Sequence, residues 1–203
     1  MSNKIIETPV PTNVITGFLG VGKTTAIQNL LALKPANERW AVLVNEFGEI
    51  GIDGALFNNN AETTLAHGDA PKQVDPNDDR QRQGIFVREV PGGCMCCASG
   101  IPMQVALNLL LAEAKPDRLL IEPTGLGHPF EVLDVLTSEH YGEVLSLHAT
   151  LTLVDARKVT DERYRSHDTF RQQLRIADHI IASKSDLYRM GKSRNTDLPM
   201  PWI

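Results

Sequence analysis

Apolar residues along this chain fall into short blocks separated by glycine-rich or polar turns, and the blocks alternate between two periods. Val14–Thr16, Trp40–Val44, Ile85–Val90, Arg118–Ile121, Ala149–Val154 and His179–Ser183 are short runs rich in aliphatic and β-branched side chains, the pattern of strands. Between them, Ala26–Leu33, Pro102–Ala114, Glu131–Leu136 and Thr169–Ala177 read as helices. The clearest is the second, with Met103, Ala106, Leu107, Leu110 and Leu111 at helical spacing; Pro35 marks the end of the first. Strands alternating with helices, and conspicuous motifs at the strand ends, predict an α/β fold: a doubly wound, mainly parallel sheet with helices on both faces. Residues 58–84 break the pattern. They hold Asn58-Asn59-Asn60, two prolines, several aspartates and few large apolar side chains, which predicts a solvated, flexible insert. Residues 190–203 predict an irregular tail.

Length and composition narrow the classes. At 203 residues the chain predicts one domain, long enough to bury a sizeable core. Its 42% hydrophobic and 22% charged residues exclude a disordered or collagen-like chain. A formal net charge of −5 argues against nucleic acid as a partner, because phosphate backbones are met by basic faces. No apolar run approaches the roughly 18–20 residues of a membrane span, and the first residues lack a signal-peptide core, so no membrane partner and a cytoplasmic location are expected. All three cysteines fall within four residues, which is no disulfide framework and points to thiolates in a reducing compartment.

The first candidate chemistry is phosphate binding. Residues 17–24, Gly-Phe-Leu-Gly-Val-Gly-Lys-Thr, follow a predicted strand and open a predicted helix, the context that gives the GxxxxGK(S/T) pattern its meaning. Gly17, Gly20 and Gly22 let the backbone curl until its N–H groups converge on phosphate oxygens, and the helix N-terminus adds partial positive charge. Lys23 reaches the β- and γ-phosphates, Thr24 is the expected Mg²⁺ ligand, and Thr25 completes the nucleotide-binding set. Further on, RLLIEPTG supplies an acidic group at a strand end. Glu122 stands where an aspartate is usual and is one methylene longer, so it acts on magnesium through water or simply caps the strand; Gly125 can offer an N–H to the γ-phosphate. Lys23, Thr24 and Glu122 are therefore the candidate catalytic residues. After the last predicted strand, Ser183-Lys184-Ser185-Asp186 stands where a guanine-reading NKxD loop would stand. Asp186 can accept from the guanine N1–H and exocyclic amine, a donor pair adenine lacks, while the Lys184 stem can lie over the base. Ser183 replaces the customary asparagine and its tie to the phosphate loop.

The second candidate chemistry is metal binding. Cys94-Met95-Cys96-Cys97 follows Gly92-Gly93. Three thiolates and a fourth ligand suit tetrahedral Zn²⁺; thiolates also suit Cu(I), and Co²⁺ can mimic zinc. Buried cysteines used as small core residues, or a redox pair, are the alternatives.

Taken in order, GFLGVGKTT, NEFGEIGID, GGCMCC, EPTGLGHP and SKSD resemble the CobW-type metallochaperone GTPases, relatives of the UreG and HypB nickel-insertion GTPases, and in particular their YeiR-like zinc-binding branch. The resemblance implies a P-loop GTPase domain over 1–203, with GTP, Mg²⁺ and Zn²⁺ as cofactors and a client metalloprotein as partner. It implies that Glu46, Glu49 and Asp53 lie in a switch-like segment contacting magnesium, the attacking water or the carried metal. Cys94, Cys96 and Cys97 match its metal motif, Glu122 and Gly125 its Walker-B and γ-phosphate-sensing segment, and Lys184 and Asp186 its base site. The family's usual C-terminal domain is expected to be absent, since only 17 residues follow Asp186. The expected function is a GTP-hydrolysing metallochaperone that couples metal transfer to nucleotide state. A non-hydrolysing zinc-storage module is one alternative. An ATP-dependent small-molecule kinase is another, though it gives no reason for the cysteine motif or for SKSD.

Overall fold

The computed structural model of the chain describes residues 8–45, 83–90 and 100–188. Its strands form a seven-stranded sheet in which each recorded pairing is parallel. On one side, β1 (Val10–Gly17) pairs with β4 (Arg118–Glu122), which continues through β2 (Trp40–Val44) to β3 (Ile85–Glu89) at the edge. Along its other side β1 pairs first with β5 (Leu145–Leu147) and then with β6 (Leu151–Asp155), which leads to β7 (His179–Ser183) at the opposite edge.

Residue alternation along these strands sorts the core into two layers. Val14, Ala41, Leu43, Leu119 and Ile121 face one side. There they bury Met103, Leu107 and Leu110 of α2 (Ile101–Ala114), Val132 of α3 (Pro129–Leu136) and Tyr141 of α4 (Glu139–Gly142). Ile15, Val42, Val44 and Leu120 face the other side and pack on Ile27 and Leu31 of α1 (Lys23–Ala32). Strands covered on both faces need apolar residues at every position, which is why β2 reads as the unbroken run WAVLV, all five residues buried. Between β6 and β7 the chain forms α5 (Glu162–Arg165) and α6 (Asp168–Arg175).

The predicted fold class is the observed one, and the differences are in extent. β1 is eight residues long rather than three, because the polar side chains of its first half, Thr12 and Asn13, are satisfied internally. Thr12 Oγ1 donates to Val10 O at 2.9 Å, and Asn13 Nδ2 donates to Ala149 O at 2.8 Å while its Oδ1 accepts from Arg118 at 3.1 Å. Helix α1 starts at Lys23, three residues before the apolar pattern does, directly from the left-handed Gly22. β6 starts at Leu151 rather than Ala149; Thr150 N–H is drawn instead to Asp178 Oδ2 at 2.7 Å. Helix α6 spans Asp168–Arg175 rather than Thr169–Ala177. β5, α4 and α5 are three or four residues each, too short to show a period. Of the expected 58–84 insert only Gly84 and Gln83 are described, in the turn whose Gly84 carbonyl accepts from Trp40 N–H; its remainder and the 190–203 tail lie outside the described residues.

Because all the strands run the same way, the loops after β1, β4, β6 and β7 gather along one edge of the sheet. β1 feeds a connection toward the β3 edge, whereas its neighbour β6 feeds one toward β7. Such a divergence opens a crevice outside the strands' carboxyl ends, where ligands bind in doubly wound sheets.

Candidate nucleotide-binding site

The loop after β1 holds its shape because glycine stands where another residue would collide. A Cβ on Gly17, whose φ is 146°, would lie 2.5 Å from the carbonyl oxygen of Leu153, so the loop leaves β1 in contact with β6. Gly20 and Gly22 also take positive φ, and Gly22 caps α1. Lys23, the first residue of that helix, is 4% exposed. An ammonium at this depth is a costly group to bury, tolerated where anionic partners meet it. Thr24 follows half-buried, and its hydroxyl donates to Glu122 Oε1 at 3.2 Å across the gap between α1 and the end of β4. Glu122 is itself 3% exposed. Thr25 faces solvent.

Beyond Glu122 the chain passes through Pro123 and Thr124 to Gly125. A Cβ there would sit 2.9 Å from the backbone nitrogen of Leu19, so the loop after β4 is pressed directly onto the P-loop. The Thr24 hydroxyl and the Glu122 carboxylate form a hard-oxygen donor pair at the mouth of the phosphate loop, which is the donor chemistry Mg²⁺ takes.

On the β6 side, a cavity of about 120 Å³ lies at the topological divergence of the sheet, lined among others by Gly20, Val21, Asp155, Arg157, Lys158 and Lys184. Lys184, half-buried with a left-handed φ of 54°, is thereby brought beside the P-loop; Asp186, two residues on, is exposed. Tyr188 braces this turn. Its hydroxyl accepts from the Ala156 N–H at 3.0 Å and donates to the Ser183 carbonyl at 2.5 Å, tying the loops after β6 and β7 together. Asp155, at the end of β6, is held by Arg157: guanidinium bonds of 2.9 and 2.6 Å and a backbone N–H at 3.1 Å reach its carboxylate. The Arg157 hydrogen bonds draw its carboxyl pKa down to about 2. The pair therefore keeps its contribution above the ordinary value of 3.8 and loses it as pH falls toward 2.

The structure thus brings together Gly17, Gly20, Gly22, Lys23, Thr24, Glu122 and Gly125 around one loop, with Lys184 across the cavity and Asp186 beyond it. Glu46, Glu49, Asp53, Cys94, Cys96 and Cys97 lie outside the described residues. Among the described residues no group of three His, Cys, Asp or Glu side chains is placed to hold a metal ion. Sequence reasoning passed over Asp155, Tyr188 and an aromatic cluster in which Phe18 of the P-loop meets Tyr164, His167 and Phe170 at ring-centroid distances of 5.1, 4.8 and 6.1 Å. Asp155 had a readable signal: like Glu122, it is a carboxylate closing an apolar strand.

Comparison with known proteins agrees with this geometry. The family model described as CobW/HypB/UreG, nucleotide-binding domain, matches residues 11–197. The chain is 53% identical to the zinc chaperone YeiR of Escherichia coli K12 over 175 residues, covering 86% of this chain and 46% of that protein. It is 29% identical to the zinc chaperone CobW of a Sinorhizobium species, covering 88% of this chain and 51% of the relative. It is 28% identical to the zinc-regulated GTPase metalloprotein activator 1 of Dictyostelium discoideum, covering 88% and 36%. The chain spans about half the length of the first two of these relatives. The crystal structure of the Zn(II)-bound YjiA GTPase from E. coli shares the fold, with a TM-score of 0.55 at 22% identity over 88% of this chain and 50% of that one.

Proposed function

The chain belongs to the CobW/HypB/UreG nucleotide-binding domain family, and from that membership and the site we propose that it binds GTP, hydrolyses it to GDP and phosphate, and carries zinc in a manner coupled to the nucleotide state. The observation that carries the nucleotide half is the meeting of Thr24 with Glu122, 3.2 Å apart, at the mouth of a loop whose lysine is buried.

The P-loop N–H groups and Lys23 cradle the phosphate oxygens, and the Lys23 ammonium offsets charge as the bond to the γ-phosphorus breaks. Thr24 and Glu122 would hold magnesium, which when bound would supply further neutralisation of the phosphate charge. Gly125, seated against Leu19, presents backbone to the position of the terminal phosphate. Water attacks the γ-phosphorus in line, and the oxygen of GDP leaves. Arg157, the arginine that lines the cavity, is engaged by Asp155, so unassisted turnover is expected to be slow.

The zinc half rests on the cysteine motif and on the printed names of the relatives. Cys94, Cys96 and Cys97, with Glu46 or Glu49 among the candidates for the remaining position, would hold the cargo; an exchangeable fourth ligand suits a carrier better than a closed site does. The receiving protein would be a metalloprotein that takes zinc from thiolates. No described helix is long and apolar enough to cross a membrane, and a cytoplasmic setting accords with three cysteines clustered in a motif that is no disulfide framework.

Base choice is the direct test of the guanine assignment. GTP and GDP are expected to bind more tightly than ATP and ADP, and Asp186→Ala to erode that preference by about 1.5–3 kcal/mol, the worth of hydrogen bonds to a charged acceptor. Titration calorimetry with the four nucleotides reads this out. Equal GTP and ATP affinities in the unmodified chain would refute guanine recognition.

A further inference from the structure

Helix α6 touches both the P-loop and the loop after β4, and one of its residues has a chemistry its position does not explain. Gln173 is 1% exposed, in a setting where a leucine of similar size would pack without burying polar atoms. Its Oε1 is buried with no hydrogen-bond partner, a costly arrangement for an amide. Its Nε2 donates to the carbonyl oxygen of Gly125 at 3.0 Å, a buried bond between residues 48 positions apart. The helix is anchored beneath that bond: Thr152 of β6 donates to the Gln173 carbonyl at 2.9 Å. One turn earlier, Thr169 Oγ1 reaches the carbonyl of the next loop residue, Leu126, at 3.4 Å. Between them Phe170 stands edge-on to Phe18 of the P-loop.

We propose that Gln173 is the positioning residue of the terminal-phosphate sensor: its amide holds the Gly125–Leu126 peptide against the P-loop, so that the site distinguishes a nucleoside triphosphate from a diphosphate. This inference rests on the reading of the site as a GTP site. Glycine at position 125 is required by the 2.9 Å approach to Leu19, and it brings backbone freedom with it. A loop with that freedom keeps one geometry only if something outside it fixes the peptide planes. Gln173 and Thr169 take two successive carbonyls from a single rigid helix. The same helix leads into β7 and the SKSD turn, so the terminal-phosphate loop and the base loop share one support.

The experiment compares the affinities of GDP and a non-hydrolysable GTP analogue, with magnesium, for the unmodified chain, Gln173→Leu and Gln173→Glu. Leucine fills the space but cannot donate. Gln173→Leu is expected to weaken the triphosphate analogue about tenfold and to leave GDP within about twofold, with a thermal midpoint close to that of the unmodified chain. A glutamate at this depth cannot donate while ionised, but its protonated form can donate to Gly125 O. For Gln173→Glu, triphosphate preference is therefore expected to recover as pH is lowered from about 8 to about 6, burial having raised the carboxyl pKa. In nucleotide-free Gln173→Leu the amides of residues 125–127 are expected to exchange hydrogen faster than in the unmodified chain. Equal loss of both nucleotides, or unchanged discrimination in Gln173→Leu, would overturn the proposal while leaving the GTP reading standing. An unmodified chain that binds no guanine nucleotide would overturn both.

Discussion

Lys23→Ala is expected to abolish measurable GTP turnover and to weaken GTP binding by at least about a hundredfold, while the protein still folds. The magnitude follows from what the side chain faces. Charge-assisted hydrogen bonds are worth about 1.5–3 kcal/mol each, and an ammonium shared between β- and γ-phosphates makes more than one. The fold survives because the lysine heads helix α1 at the phosphate loop and is not part of either apolar layer; those layers are built by residues such as Ile27, Leu120, Leu107 and Ile121. Calorimetry and phosphate release measure the loss, and a thermal melt checks the fold. Turnover within tenfold of the unmodified chain would place the active site elsewhere.

The second large effect concerns the metal. Replacing Cys94, Cys96 and Cys97 together with serine is expected to eliminate tight zinc binding, and Cys96→Ser or Cys97→Ser alone to weaken it severely. A serine hydroxyl stays protonated at neutral pH and offers zinc no anionic ligand, whereas each thiol surrenders its proton to the metal. The same exchange sets the pH dependence. Free thiols titrate near a pKa of about 8.5, so protons compete increasingly as pH falls and the affinity declines toward acid. Substitution of Co²⁺ makes the site visible through thiolate-to-metal charge-transfer absorption, expected in the unmodified chain and absent from the triple variant. Zinc held equally well without the three thiols would remove the metal half of the proposal. Where metal and GTP favour one conformation, each must tighten the other by the same factor, typically about 5–150-fold for a single switch.

The parts of the molecule that were legible in the sequence are those where chemistry restricts residue type over a short span. A phosphate loop needs glycines and a lysine at fixed spacing, and the doubly covered strands β2 and β4 need unbroken apolar runs. Both stand out in a single pass, as do the carboxylate at position 122 and the SKSD turn. The hidden parts depend on partners far along the chain. Asn13 looks like a loop residue until Ala149 and Arg118 arrive to satisfy it. Gln173 reads as a surface glutamine in TFRQQLR, yet the helix buries Thr169, Phe170 and Gln173 on one side, and the amide finds its acceptor only once the loop after β4 is in place. Tyr188 matters through two backbone groups that no local pattern brings near it.

The central claim is that this chain spends GTP. Phosphate release from GTP and from ATP, at matched subsaturating concentration and with magnesium, tests it most directly, with Lys23→Ala as the blank. The account predicts slow release from GTP, markedly less from ATP, and none above background from Lys23→Ala. Release from ATP equal to that from GTP, or GTP hydrolysis undiminished in Lys23→Ala, would contradict it.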